Sequence, residues 1–258
     1  MTKGAPRRVF GLPIYLHSQQ ELIAEILEPG QTGAARLVAT VNVDHVVTLR
    51  TDTQFQDAYR SAWRITADGA PVYAYARAVG LPLSGRITGS DLFAELVLRW
   101  DPAQHRLFML VSKDEVADRM RRIMVERGFS KENLAIEVPP FGFDTNQPFG
   151  IELARRVKTF GATHLIIAVG APKSEIWAYN HGASIGNATV LCVGAAVEFV
   201  TGLKARSPIL MRRVGMEWFW RFLLEPKRLF HRYFVRSFRF LLAVADDQRN
   251  SRGERPLS

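Results

Sequence analysis

His164-Leu165-Ile166-Ile167-Ala168-Val169 runs directly into Gly170-Ala171-Pro172-Lys173-Ser174-Glu175. The apolar run reads as a buried strand, Gly170 and Pro172 end it, and a helical pattern begins at Lys173 and continues to Gly182. The same grammar recurs along the chain. Apolar, largely β-branched runs at 37–43, 64–66, 107–111, 134–138 and 189–193 read as five more strands. Helical patterns separate them, at about 19–27, 44–62, 72–79, 91–100, 113–127 and 148–159, with Ser90 and Ser112 placed as caps. Strand alternating with helix predicts an α/β fold, a mostly parallel sheet with helices on both faces.

The 258 residues are 47% apolar and 23% charged, which excludes a disordered chain, and a single cysteine excludes a disulfide scaffold. Cys192 sits among Thr189, Val190, Leu191 and Val193, so a buried thiol in a reducing cytoplasm is expected. No run reaches the ~18 apolar residues that span a bilayer, and the first residues lack a secretory apolar core. Charge is concentrated. Of the net +9, +8 lies between Leu203 and Phe240, where nine of the chain's aromatic residues also fall. The chain therefore divides into an α/β body (1–202), a basic, aromatic, helical C-terminal appendage (203–245) and a polar tail expected to be disordered (246–258).

In a parallel sheet, ligands gather beyond the carboxyl ends of the strands, where helix N-termini offer N–H groups to anions. Four segments occupy such places: Asn42-Val43-Asp44-His45, Thr66-Ala67-Asp68-Gly69, Gly170 to Glu175, and Gly194-Ala195-Ala196-Val197-Glu198. Thr40 and Asn42, two apart on the first strand, share a face, and two polar side chains there suit a cleft better than a core. Asp68 follows a strand and precedes glycine, which holds a carboxylate rigidly at the sheet edge; an Asx-turn or helix cap is the alternative. The Gly-x-Gly-x-x-Gly, P-loop and Gly-x-Ser-x-Gly patterns are missing. Six scattered histidines without cysteine partners, and no Asp-x-Asp in the body, lead to the expectation of no metal and no cofactor.

These motifs together resemble the WecG/TagA/CpsF family of bacterial glycosyltransferases. The likeness runs from Thr40 to about Tyr233: Thr40-x-Asn42, Ala67-Asp68-Gly69-x-Pro71-Val72, Arg86-Ile87-Thr88-Gly89-Ser90-Asp91-Leu92, Pro139-Pro140-Phe141-Gly142, Gly170-Ala171-Pro172-Lys173-x-Glu175-x-Trp177, Gly215-Met216-Glu217-Trp218, and Leu224 to Leu229. The resemblance implies a Rossmann-like body and an inverting transfer on the cytoplasmic membrane face. It further implies a UDP-sugar donor, such as UDP-N-acetylmannosamine, and a polyprenyl-diphosphate-linked sugar acceptor. Teichoic acid, enterobacterial common antigen or exopolysaccharide assembly would use the product. It casts Asp68 as the general base, Thr40 and Asn42 as sugar-pocket residues, and Arg86 as a cleft arginine. Ser174 stands where the family usually has glutamine, and His231-Arg232 where paired basic residues are common.

Inversion needs one carboxylate to take the acceptor's proton, and fixed cations or helix N-termini to meet the leaving diphosphate. The substrate-binding set is then Thr40, Asn42, Arg86, Asp91, Gly170, Pro172, Ser174, Glu175, Glu198, Arg221, Arg228 and Arg232. At 100° per residue Arg228, Arg232, Arg236 and Arg239 fall within about 80° of one another, opposite Phe230, Tyr233, Phe234, Phe238 and Leu241. Such a helix lies in an anionic headgroup layer, or docks its aromatics on the body and presents arginines to a lipid diphosphate. The expected location is peripheral, on the inner face of the plasma membrane, with the appendage's aromatic surface equally suited to contacts between copies of the chain. Two alternatives compete: a nucleic-acid-binding module using the basic stretch, and a catalytically silent sugar-nucleotide-binding subunit.

Overall fold

The computed structural model describes residues 8–28, 30, 33–208, 211, 220 and 236–253. Six strands, β1 (Arg36–Val41), β2 (Arg64–Ala67), β3 (Leu107–Val111), β4 (Leu134–Glu137), β5 (His164–Ala168) and β6 (Thr189–Cys192), form one sheet in the order β2-β1-β6-β5-β3-β4. Every pairing is parallel, with Thr40 beside Thr66 and Ile167 beside Cys192. The Rossmann-like α/β expectation holds, and all six strands lie where the apolar runs place them. Period-two alternation divides the cores. On β5, Ile166 and Ala168 join Leu92, Phe93, Leu96 and Trp100 on one face, while Leu165 and Ile167 join Leu153, Val157 and Trp177 on the other. A third cluster, of Ala39, Val41, Phe55, Tyr59 and Ile65, covers the β1–β2 end.

The helices are α1 (Gln19–Leu27), α2 (Val43–Leu49), α3 (Thr53–Ser61), α4 (Ala70–Ala78), α5 (Gly89–Arg99), α6 (Asp114–Glu126), α7 (Gln147–Phe160), α8 (Lys173–Ile185), α9 (Ala196–Val200) and α10 (Arg236–Gly253). The single helix expected over 44–62 is two. Asp52 caps α3 by accepting from the Phe55 amide at 3.0 Å, so the chain turns before restarting. The cap of α5 is Thr88, not Ser90, and Lys113 opens α6 with no side-chain cap where Ser112 was expected. The short α9 was not anticipated.

The tail expected to be disordered from Asp246 is helical through Gly253. Its acidic residues are satisfied by the body: Asp247 accepts from the Phe10 amide at 2.7 Å and from the Tyr75 hydroxyl at 2.8 Å, and Asp246 pairs with Arg50 at 2.8 Å. Phe240 and Ala243 bury against the body, whereas Phe238, Leu241 and Leu242 face away from it. The expected grouping of Phe238 with Leu241 on one face is therefore present at the start of α10, but a different residue, Phe240, does the docking.

Candidate active site

The carboxyl ends of β1, β2, β5 and β6 open into a cleft of 540 Å³. Thr40 lines it from β1, Asn42 from the cap of α2, Asp44, His45 and Thr48 from α2, Asp68 from just past β2, and Ser90 from α5. Gly170, Ala171, Pro172, Ser174 and Glu175 enter from the β5–α8 turn, and Cys192, Val193, Gly194 and Ala195 from the β6–α9 turn. All four segments singled out after the strands contribute.

Asp68 is half-buried, and its place is set by backbone geometry. Its own amide donates to the Val41 carbonyl at 2.9 Å, extending the β1–β2 ladder by one residue. Gly69, at φ 85°, then turns the chain into α4 as that helix's N-cap, with no side chain capping it. The alternative of Asp68 as a cap for α4 is thus excluded. Instead its Oδ2 accepts from the Gly89 amide at 3.2 Å, at the N-terminus of α5 where a negative charge is favoured. Gly89 can come this close because it lacks a side chain: a Cβ there would lie 3.2 Å from Thr40 Oγ1.

Beneath the cleft lies a polar cluster that crosses between elements. Asn42 caps α2, its Oδ1 accepting from the His45 amide at 3.2 Å. His45 Nδ1 is 2.6 Å from the hydroxyl of the fully buried Tyr59, which also donates to the Thr40 carbonyl at 3.5 Å. Burial pushes the Tyr59 phenol well above its ordinary range, helped by the nearby Glu175, Cys192 and Asp68. Burial and Glu175 likewise raise the Cys192 thiol, which is the inert buried thiol that its apolar neighbours suggest. Glu175, 2% exposed, is pushed up to about 8 by burial, opposed only by a hydrogen bond from its own backbone. Ser174 donates to the Gly170 carbonyl at 2.9 Å, so its short side chain closes the turn.

Not every expected residue reaches the cleft. Asp91 pairs with Arg206 at 2.6 Å and accepts from Thr88, and Glu198 pairs with Lys204 at 2.5 Å. These two acids fasten the segment that leaves α9 and do not line the cleft; neither does Arg86. Arg221, Arg228 and Arg232 lie outside the described residues. Conversely Asp44, His45, Thr48 and Ser90 line the cleft without having been chosen individually. The signal for Asp44 and His45 was their position just after β1. Thr48 required knowing which face of α2 turns inward, and Ser90 that Thr88 takes the capping role. None of the described lining residues is a lysine or arginine, and no cluster of three His, Cys, Asp or Glu side chains among the described residues is arranged to hold a metal ion.

The family model described as "Glycosyl transferase WecG/TagA/CpsF family" matches residues 7–254. The chain belongs to that family. It is a glycosyltransferase, similar among hexosyltransferases to the N-acetylglucosaminyldiphosphoundecaprenol N-acetyl-beta-D-mannosaminyltransferases of Staphylococcus aureus strains NCTC 8325 / PS 47 and MRSA252. Each is 24% identical over 213 residues, covering 81% of this chain and 80% of the relative. The match to the WecG/TagA/CpsF family takes in every segment that forms the cleft, together with α10.

Proposed function

We propose that this glycosyltransferase transfers N-acetylmannosamine, or a related hexose, from a UDP-sugar to a polyprenyl-diphosphate-linked sugar, with inversion and without a metal ion, in assembly of a bacterial surface polysaccharide. The observation that carries the reading is the placement of Asp68: a carboxylate held by the Gly89 amide beside Thr40, at the wall of a cleft built from the ends of four strands. In one in-line displacement the acceptor oxygen bonds to the anomeric carbon as the bond from that carbon to the phosphate oxygen breaks. The acceptor's proton passes to Asp68, and the electron pair leaves with UDP. General-base assistance of this kind contributes about 10²- to 10⁴-fold. The relatives' printed name, which couples a mannosaminyl donor to a lipid-diphosphate acceptor, supports the pairing of substrates.

No helix of the described residues is long and apolar enough to cross a membrane. We place the enzyme peripherally on the inner membrane face, reached through the basic appendage, where its lipid-linked substrate lies. The test is transfer from UDP-N-acetylmannosamine, UDP-N-acetylglucosamine, UDP-glucose and UDP-glucuronate to short-chain lipid-diphosphate sugars, with and without EDTA. Product of inverted anomeric configuration, undiminished by EDTA, is expected, and Asp68→Asn should lower kcat about 10²- to 10⁴-fold at an unchanged unfolding midpoint. Wild-type turnover by Asp68→Asn would remove the base assignment.

A further inference from the structure

Glu175 occupies the third position of α8, whose N-cap is Pro172. A glutamate at that position ordinarily folds back to accept from the N-cap amide. Proline has no amide hydrogen to offer. The side chain is instead buried against the cleft floor, 2% exposed, and its Oε2 has no hydrogen-bond partner among the described residues. Among the described residues, the titratable groups facing it from the elements around it are the Tyr59 hydroxyl of α3 and the Cys192 thiol of β6. Tyr59 in turn meets His45 of α2 and senses Asp68 beyond β2. No lysine or arginine among the described residues forms an ion pair with it. A buried carboxylate without a counter-ion is costly, and burial accordingly holds this carboxyl at about 8. At neutral pH it is a carboxylic acid with an O–H to donate.

Glu175 lines the cleft from the first turn of α8, a helix whose N-terminus has no side-chain cap. A helix N-terminus favours an anion, and the anion that this reaction brings and releases is the nucleotide diphosphate. We propose that Glu175 acts as a neutral carboxylic acid, donating a hydrogen bond to a diphosphate oxygen of the sugar donor while Asp68, as a carboxylate, takes the acceptor's proton; this rests on the function proposed above. As the bond from the anomeric carbon to the phosphate oxygen breaks, charge grows on that oxygen and the O–H···O bond strengthens, which favours the transition state over the bound donor. Glu175 keeps its proton throughout; the proton released by the acceptor ends on Asp68.

An ionised Glu175 would repel the diphosphate, so donor binding and protonation of Glu175 must support one another. KM for the UDP-sugar, measured at saturating acceptor between pH 6.5 and 9.5, should be level up to about pH 8 and then rise toward tenfold per pH unit. Glu175→Gln, whose amide still donates but cannot ionise, should give a level KM across the range. Calorimetric titration of UDP-sugar at pH 8.5, in two buffers of different ionisation enthalpy, should record proton uptake by the wild type and none by Glu175→Gln. A wild-type KM level to pH 9.5, or the same rise in Glu175→Gln, overturns the role given to Glu175 while leaving the transferase reading in place. Wild-type protein that neither binds nor turns over any UDP-sugar at any pH overturns both.

Discussion

Asp68 owes its position to two glycines that do different work. Gly69 supplies a backbone conformation at φ 85° that other residues rarely adopt, and Gly89 supplies an amide that can approach because nothing projects from its Cα. Gly89→Ala tests the second. Its Cβ would sit 3.2 Å from Thr40 Oγ1, so a shift of a few tenths of an ångström is needed, and where α5 takes it up the hydrogen bond to Asp68 weakens. Small displacements of a catalytic group are expensive, and kcat should fall by about tenfold or more, with KM for the donor changing less. A Gly89→Ala enzyme with wild-type kcat would show that this close approach does not set the position of Asp68. Asp68, Thr40 and Asn42 were legible in the sequence because each stands at the end of a strand, where polar residues interrupt an apolar run. Asp91 and Glu198 lie in the first turns of α5 and α9, where Arg206 and Lys204 claim them, and partners so distant in sequence as Arg206 from Asp91 carry no local signal.

Among the elements, α2 and α10 are coupled in a way that the helical pattern does not reveal. One side of α2 presents Asp44, His45 and Thr48 to the cleft, while Val46, Val47 and Leu49 join the cluster that receives Phe240 and Ala243 of α10. The C-terminal helix thus backs a helix that walls the cleft. Its polar anchor is Asp247, which accepts from both the Phe10 amide and the Tyr75 hydroxyl, whereas Asp246 makes a half-exposed ion pair with Arg50. Hydrogen bonds to a charged group contribute about 1.5 to 3 kcal/mol, exposed ion pairs about 0 to 1 kcal/mol. Asp247→Ala should therefore lower the free energy of unfolding in urea by about 2 kcal/mol or more, and Asp246→Ala by less than about 1 kcal/mol. Equal losses would contradict this division of labour. The composition of 246–253 pointed to disorder because polarity alone does not distinguish solvated acids from acids that meet donors on another element.

For the molecule as a whole, charge and shape divide the tasks. The basic stretch from Leu203 to Phe240 carries +8, and where it runs into α10 Phe238, Arg239 and the next residue but one, Leu241, are exposed while Phe240 holds the body. Cations beside outward-facing apolar groups suit a headgroup layer, where each basic residue contributes about 1 kcal/mol. The protein should co-sediment with phosphatidylglycerol-rich vesicles and not with phosphatidylcholine vesicles. Binding should weaken steeply as salt is raised, and Phe238→Ser with Leu241→Ser should weaken it further. Equal sedimentation with both vesicle types would remove the electrostatic basis for membrane attachment.

By itself the sequence determined the number and parallel class of the strands, the ends at which ligand-binding residues gather, and the concentration of charge near the C-terminus, because apolar periodicity, turn residues and net charge are local quantities. Only the tertiary structure decided which acids face the cleft, which are claimed by arginine or lysine, and that Glu175 is buried with no lysine or arginine among the described residues paired to it. Burial and partnership depend on elements distant in the chain, and those settle whether a carboxyl group keeps its proton.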